Sequence, residues 1–296
     1  MVLDDVVELR TLQGYVSGPE AASLLKSPGR APNAKDPISR LSHDAILYGA
    51  TLPLTDARAL SSRLYRYNTW PCSARLQTTF GSNAQIAAML GVTGSSPQVR
   101  CLIDAGYDRV DHVHWHAWTR RRYLDAEHMS GLRYKLYVSP SPEAIVDVVQ
   151  RTVKVAIDLA VPSFKIGKSV ANILRPDKLI LYTDSVEALD GISRELTCEL
   201  SGYPAQGVPF TRSLEPTGIL SAGADPPRSL CLSGWAQAES WRAWMADRLA
   251  LSLLQARASS SDPSKHCEFA LTKLSIEGVD TGTWNAAKQL WQGEPS

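Results

Sequence analysis

The chain has 296 residues, 44% of them hydrophobic and 21% charged, with a formal net charge of +1. That composition belongs to a globular protein with room for one large core or two ordinary ones, and it excludes a disordered chain. A near-neutral balance argues against a chain built to coat nucleic acid or a membrane surface, so any anion site must be a local cluster of cations.

The first residues, "MVLDDVVELR", are acidic where a signal peptide is basic, and no apolar run is long enough to span a bilayer. Five scattered cysteines with no CxxC spacing point to a reducing compartment rather than a disulfide or zinc framework. The expected location is the cytoplasm. Segments 2–25 and 38–66 carry helical spacing and flank a Pro- and Gly-rich loop, 26–37. A second loop, "TGSSPQ" at 93–98, marks a plausible boundary. We therefore expect a mainly helical part over 1–100 and an α+β part over 101–296.

From residue 100 the pattern changes. "DHVHWHAW" (111–118) alternates as a strand, which would place His112, His114 and His116 on one face. Three imidazoles there suit either a polar sheet face or a transition-metal site. The run Arg120, Arg121, Arg122 reads as a solvated turn or as a patch for an acidic group. "LRYKLYV" (132–138) is a strand, and Arg133, Lys135 and Tyr137 share one of its faces by parity. Ser141 and Pro142 open a helix whose apolar stripe is Ile145, Val148, Val149, Val153 and Ala156.

Pro162 stops that helix. "FKIGK" (164–168) follows as a short strand with Lys165 at its middle, then "KLILY" (178–182) as another. Asp184 and Glu187 have capping-box spacing before a further helix. A long irregular segment covers 202–218. "SWRAWMADRLALSLL" (240–254) spaces Trp241, Trp244, Met245 and Leu249 on one helical face. The expected fold is α+β: a mixed, mostly antiparallel sheet flanked by helices, with a helical N-terminal part. Dinucleotide, P-loop, nucleophile-elbow and zincin motifs are absent from the sequence. What remains is a set of cations spread over consecutive elements: Arg133, Lys135, Lys165, Lys168, Arg175 and Arg212. Arginine forks onto phosphate oxygens and lysine adds point charge, so such a set suits a phosphate ligand.

The order "KLYVSPSPEAI" (135–145), "FKIGK" (164–168) and "RPDKLILY" (175–182) resembles the phosphothreonine lyases of bacterial type III secretion, the OspF/SpvC type. "GVPFTRSLEPTGILSAGADP" (207–226) and "SWRAWMADRLALSLL" resemble the related HopA-type effector domain. That domain also serves as the lyase of class V lanthipeptide and thioamitide biosynthesis. The resemblance covers roughly 130–255. It implies that Lys165 is the base that removes the α-proton, that Lys135 steadies the reaction, and that Arg175 and Arg212 hold phosphate. It puts Tyr137 where the family keeps a histidine acid, which leaves Tyr137, His112, His114 and His116 as candidate acids.

The implied activity is elimination of phosphate from phosphoserine or phosphothreonine of a ribosomal precursor peptide, without a metal or organic cofactor. A separate Ser/Thr kinase-like protein must then supply the phosphate, and the N-terminal hundred residues are the candidate surface for that partner or for a leader peptide. Nucleic acid and membranes are not expected partners. Three alternatives stand beside this reading: a phosphopeptide- or kinase-binding scaffold of the same fold, a host-directed effector lyase, and a metal enzyme built on the three histidines.

Overall fold

The computed structural model describes residues 1–11, 14–22, 24, 33, 35–94, 96–125, 131–226 and 240–286. Most of the 26–37 loop and Cys231 lie outside the described residues. The chain divides into two compact units, one of residues 1–67, 209–212 and 226–296, the other of 68–208 and 213–225. This differs from a division at residue 100. Phe80, Ile86, Leu90, Val99 and Leu102 are buried in the core of the sheet, so 68–100 fold with it. The C-terminal helices, in turn, share a core with the N-terminal ones.

The first unit is mainly helical. Its first residues are not the helix that their spacing suggests. Strands β1 (Leu9–Thr11) and β2 (Gly14–Val16) pair as a hairpin, followed by the short helix Gly18–Ala22. Gly14 sits at φ 135°, outside helical backbone, and the local turn overrides the weak apolar period. Helices Pro37–Thr51 and Ala57–Tyr65 follow, each N-capped by an aspartate, Asp36 and Asp56. They pack with Trp241–Arg257 and Pro263–Ile276 around Trp241, Trp244, Met245, Leu249 and Leu253. The helix Trp241–Arg257 is buried on more than one face, including Arg242 and Asp247, so a single apolar stripe understates it.

The second unit is built on an antiparallel sheet. The strands of that sheet are β3 (Tyr107–Asp111), β4 (Trp115–Arg120), β5 (Tyr134–Val138), β6 (Ser163–Gly167), β7 (Leu179–Thr183), β8 (Arg212–Ser213, of which Arg212 is the last residue of the 209–212 segment) and β9 (Leu220–Ala224). Their spatial order is β3-β4-β6-β7-β5-β9-β8. A two-residue hairpin, β10 (Val279–Asp280) with β11 (Asn285–Ala286), belongs to the helical unit.

The two faces of the sheet differ. One carries Trp118, Phe164, Ile166, Leu136, Val138, Leu179 and Leu181 into the core. Helices Ile145–Asp158 and Val186–Glu199 close that face with Ile145, Val148, Val149, Val153, Leu189, Ile192 and Leu196. Each such side chain contributes about 1.5–3 kcal/mol on full burial, so this face fixes the register. The second of these helices is capped by Ser185, which accepts from the Ala188 amide at 3.3 Å, rather than by Asp184.

Candidate active site

The polar face of the sheet follows from the register. Lys165 pairs with Ala117 on one side and Ile180 on the other. Lys135 pairs with Tyr182, and Tyr137 with Ile180. Paired residues of antiparallel strands share a face. Trp115, Lys165, Ile180, Tyr182, Lys135 and Tyr137 therefore stand on the side opposite the apolar core. Because β7 lies between β6 and β5, the two lysines are separated by one strand, with Tyr182 on the strand between them.

Aromatic rings floor this face. Lys165 Nζ lies 4.6 Å from the Trp115 ring centroid and 5.3 Å from that of Tyr182. Lys135 Nζ lies 5.4 Å from Tyr182, and the Arg175 guanidinium 5.5 Å from Trp115. The rings exclude water while their faces attract the cations. Burial, and then the charge of Lys135, push the Lys165 ammonium down to about 8 from its ordinary 10.5. Arg175 acts in the same direction, whereas Asp177 and Asp225 oppose it. A lysine in this state supplies free amine near neutral pH.

Two cations carry resident carboxylates. Arg175 forks onto Asp177, with Nε and Nη2 each 2.8 Å from a carboxylate oxygen. Lys135 Nζ pairs with Asp225 Oδ2. The stretch that bears Arg175 is tied on both sides. Leu174 O accepts from Gln206 Nε2 at 3.1 Å, and Pro176 O from Ser139 Oγ at 2.7 Å. Lys178, fully buried, donates to Pro140 O at 2.6 Å and to Gln206 Oε1. Burial pushes Lys178 down to about 7. A neutral amine has enough protons for both bonds, so the tie survives deprotonation.

The remaining candidates divide. The 111–118 segment is not one strand: β3 ends at Asp111, residues 112–114 turn, and β4 begins at Trp115. The three histidines consequently do not share a strand face. His116 lies in β4 on the apolar side, buried, where its Nδ1 accepts from Arg109 Nη2 at 3.0 Å. Burial pushes it down to about 4, so it is a neutral packing residue and not an acid for this face. His112 and His114 are exposed in the turn. Burial and then the positive charge of Lys165 lower the His112 pKa, which puts His112 within electrostatic reach of the candidate base. Among the described residues no group of three or more His, Cys, Asp or Glu is placed to hold a metal ion.

Tyr137 is on the correct face but buried, packed with Trp115, Ile180 and Val208. Lys168 follows β6, and its amide donates to His114 O at 3.1 Å, so the hairpin turn is joined to the end of the lysine strand. Arg133 precedes β5, and its carbonyl accepts from the Asp225 amide at 2.8 Å. Arg212 lies on the 209–212 segment assigned to the helical unit. The arginine run is engaged within the sheet unit. Arg120 lies over Tyr107, Arg121 bonds Asp108 at 3.0 Å, and Arg122 lies over Tyr123.

Sequence reasoning did not single out Trp115, Tyr182, Asp177, Asp225 or Lys178 as parts of a site. Parity within "KLILY" and across the β3–β4 turn would have found the two aromatics. The carboxylates carry no motif, since their role depends on which strands become neighbours.

No protein-family model matches the chain. No curated protein matches it either. Among solved structures, the chain is similar to two effector proteins of Pseudomonas syringae. One is from pathovar tomato strain DC3000, at 13% identity over 84% of this chain and 98% of that one, with a TM-score of 0.47. The other is from pathovar syringae strain 61, at 12% identity over 84% and 98%, with a TM-score of 0.41. At these scores the likeness says nothing about activity. Among the described residues no helix is long and apolar enough to cross a membrane.

Proposed function

We propose that the chain is a carbon–oxygen lyase that eliminates phosphate from phosphoserine or phosphothreonine in a peptide. The observation that supports this best is Lys165. It sits on a rigid central strand, over Trp115 and near Tyr182, beside Lys135 and Arg175, with its pKa brought down to about 8.

In the proposed step the neutral Lys165 amine takes the Cα proton. The electron pair left behind forms the Cα–Cβ double bond, the Cβ–O bond breaks, and phosphate leaves with that bond's pair. Negative charge grows first at the enolate-like carbon and carbonyl, then on the phosphate. Lys135 and Arg175 are the fixed cations that answer it, and being fixed they need no reorganisation at the moment of reaction. Tyr137 or His112 is the donor to the departing oxygen. The products are a dehydro-residue and inorganic phosphate, and the atoms balance without a further reactant.

That the substrate is a ribosomal precursor peptide, phosphorylated by a separate kinase, rests on the resemblance of the 135–182 motifs. The experiment is mass spectrometry of a phosphoserine peptide incubated with the protein. Elimination leaves the peptide lighter by phosphoric acid. A phosphatase would leave the hydroxyl in place, and a scaffold would leave the peptide unchanged. Either of those two outcomes rejects the proposal.

A further inference from the structure

Lys135 and Asp225 form an ion pair whose two members differ in their access to water. The Lys135 side chain is 8% exposed, against 27% for that of Asp225. The Lys135 ammonium is held on a central strand over Tyr182 and cannot leave. Asp225 follows β9, and its backbone amide is bonded to Arg133 O, so the main chain stays in place whatever its carboxylate does. The Arg175 pair differs: Asp177 is 2% exposed and held by a two-point fork, so it has no route to solvent.

We propose that Asp225 is a resident counter-ion that the substrate's phosphate displaces from Lys135, so that the site accepts a dianion strong enough to replace an internal carboxylate. This deepens the lyase reading and rests on it for the identity of the displacing group. A buried ammonium left without an anion is costly, so the empty site keeps Asp225 in place. An arriving phosphate dianion brings more charge and more acceptor oxygens than a carboxylate. Asp225, the member more open to water, is then the one that turns away. In this role Asp225 is a positioning residue that acts through Lys135 and Lys165.

The carboxylate has a second effect. The charged and titratable groups that face Lys165 include Lys135 from β5, Tyr182 from β7, Arg175 and Asp177 from the stretch before β7, Asp225 after β9, and His112 from the hairpin turn. Of these, Asp225 and Asp177 hold the Lys165 proton on. Displacing Asp225 removes part of that hold, while the incoming phosphate replaces it until phosphate departs.

The test uses the full chain and its Asp225→Asn and Asp225→Glu variants. Calorimetry with inorganic phosphate reads binding, and NMR titration of the Lys165 side chain reads its proton. Asp225→Asn is expected to bind phosphate about threefold or more tightly and to titrate at Lys165 lower by roughly half a pH unit, the scale of one partly solvated charge. Asp225→Glu is expected to return both values toward wild type. Weaker or unchanged phosphate binding in Asp225→Asn overturns the proposal, because Asp225 then merely anchors Lys135. Should Asp225→Asn fail to fold, Asp225→Ser read by the same two measurements decides. Both readouts are independent of turnover. If they come out as expected while no variant eliminates phosphate from a peptide, the counter-ion stands and the lyase reading falls.

Discussion

Replacing Lys135 by methionine separates charge from packing at the candidate site. Methionine keeps most of the apolar stem but removes the ammonium over Tyr182, the cation that, after burial, most lowers the Lys165 pKa. It also removes the Lys135 charge from beside Asp225, whose carboxylate pushes Lys165 the same way. Both changes raise the pKa from about 8 toward the ordinary 10.5. The base must be neutral, so the part of the loss that comes from a protonated Lys165 falls on the acid side and returns as pH rises. With a pKa of about 8, roughly a quarter of Lys165 is neutral at pH 7.5. A rise of about one unit, the low end for a neighbouring charge, leaves roughly 3% neutral and slows elimination about eightfold on this count alone. The assay is the pH profile of kcat/KM for the phosphopeptide, which reports the free protein's base, from pH 7 to about 10, above the phosphate second ionisation near 6. The variant's acid limb should lie about one unit higher, and its alkaline plateau should stay below that of wild type, because Lys135 also answers the charge on the departing phosphate. An acid limb that does not move would refute the assignment of Lys165 as the titrating base tuned by Lys135.

Arg175→Lys keeps a charge but loses the fork onto Asp177, and it should weaken binding of a phosphopeptide by about 1.5–3 kcal/mol, measured by calorimetry, with little change for the unphosphorylated peptide. Equal losses for both peptides would make Arg175 purely structural. Tyr137→Phe should slow elimination by about tenfold or more, toward the low side of what a positioned acid supplies, while the ring still packs with Trp115 and Ile180. Full activity in Tyr137→Phe together with loss in His112→Ala would move the acid to the hairpin turn. Gly167→Ala should destabilise the protein by about 1–3 kcal/mol in denaturant titration. Its added Cβ would meet backbone carbon and oxygen of Asn172 at 2.8 and 2.9 Å, and backbone cannot step aside as a flexible side chain can.

The elements of the sheet unit were largely legible in the sequence. The stripe Ile145, Val148, Val149 and Val153 has one period, and it closes the apolar face of the sheet as that period requires. Parity placed Lys135 and Tyr137 on one face, and "FKIGK" read as a strand with Lys165 inside it, as β6 is. Two local readings failed for local reasons. The alternation in "DHVHWHAW" hid a turn at 112–114, where no glycine or proline marks the break, and the turn sends His116 to the apolar side. The apolar spacing of residues 2–25 was outweighed by the β1–β2 hairpin around Gly14. The pairing of Lys135 with Asp225 joins residues 90 positions apart, and no spacing rule reaches that far. Lys178 was also hidden: in "RPDKLILY" it looks like a solvated lysine beside Asp177. It is buried because Pro140 and Gln206, from two distant segments, supply its acceptors.

The central claim about the molecule is that Lys165 removes a proton from bound substrate. The most direct measurement is single-turnover elimination from a phosphoserine peptide by wild type and by Lys165→Ala, with peptide affinity measured in parallel on both. Wild type should yield the dehydro-peptide, while Lys165→Ala should bind the phosphopeptide with affinity within about threefold of wild type and yield none, since a base that acts only on the Cα proton is lost from turnover and not from binding. Elimination by Lys165→Ala within about tenfold of the wild-type rate would contradict it, as a positioned base supplies more than that.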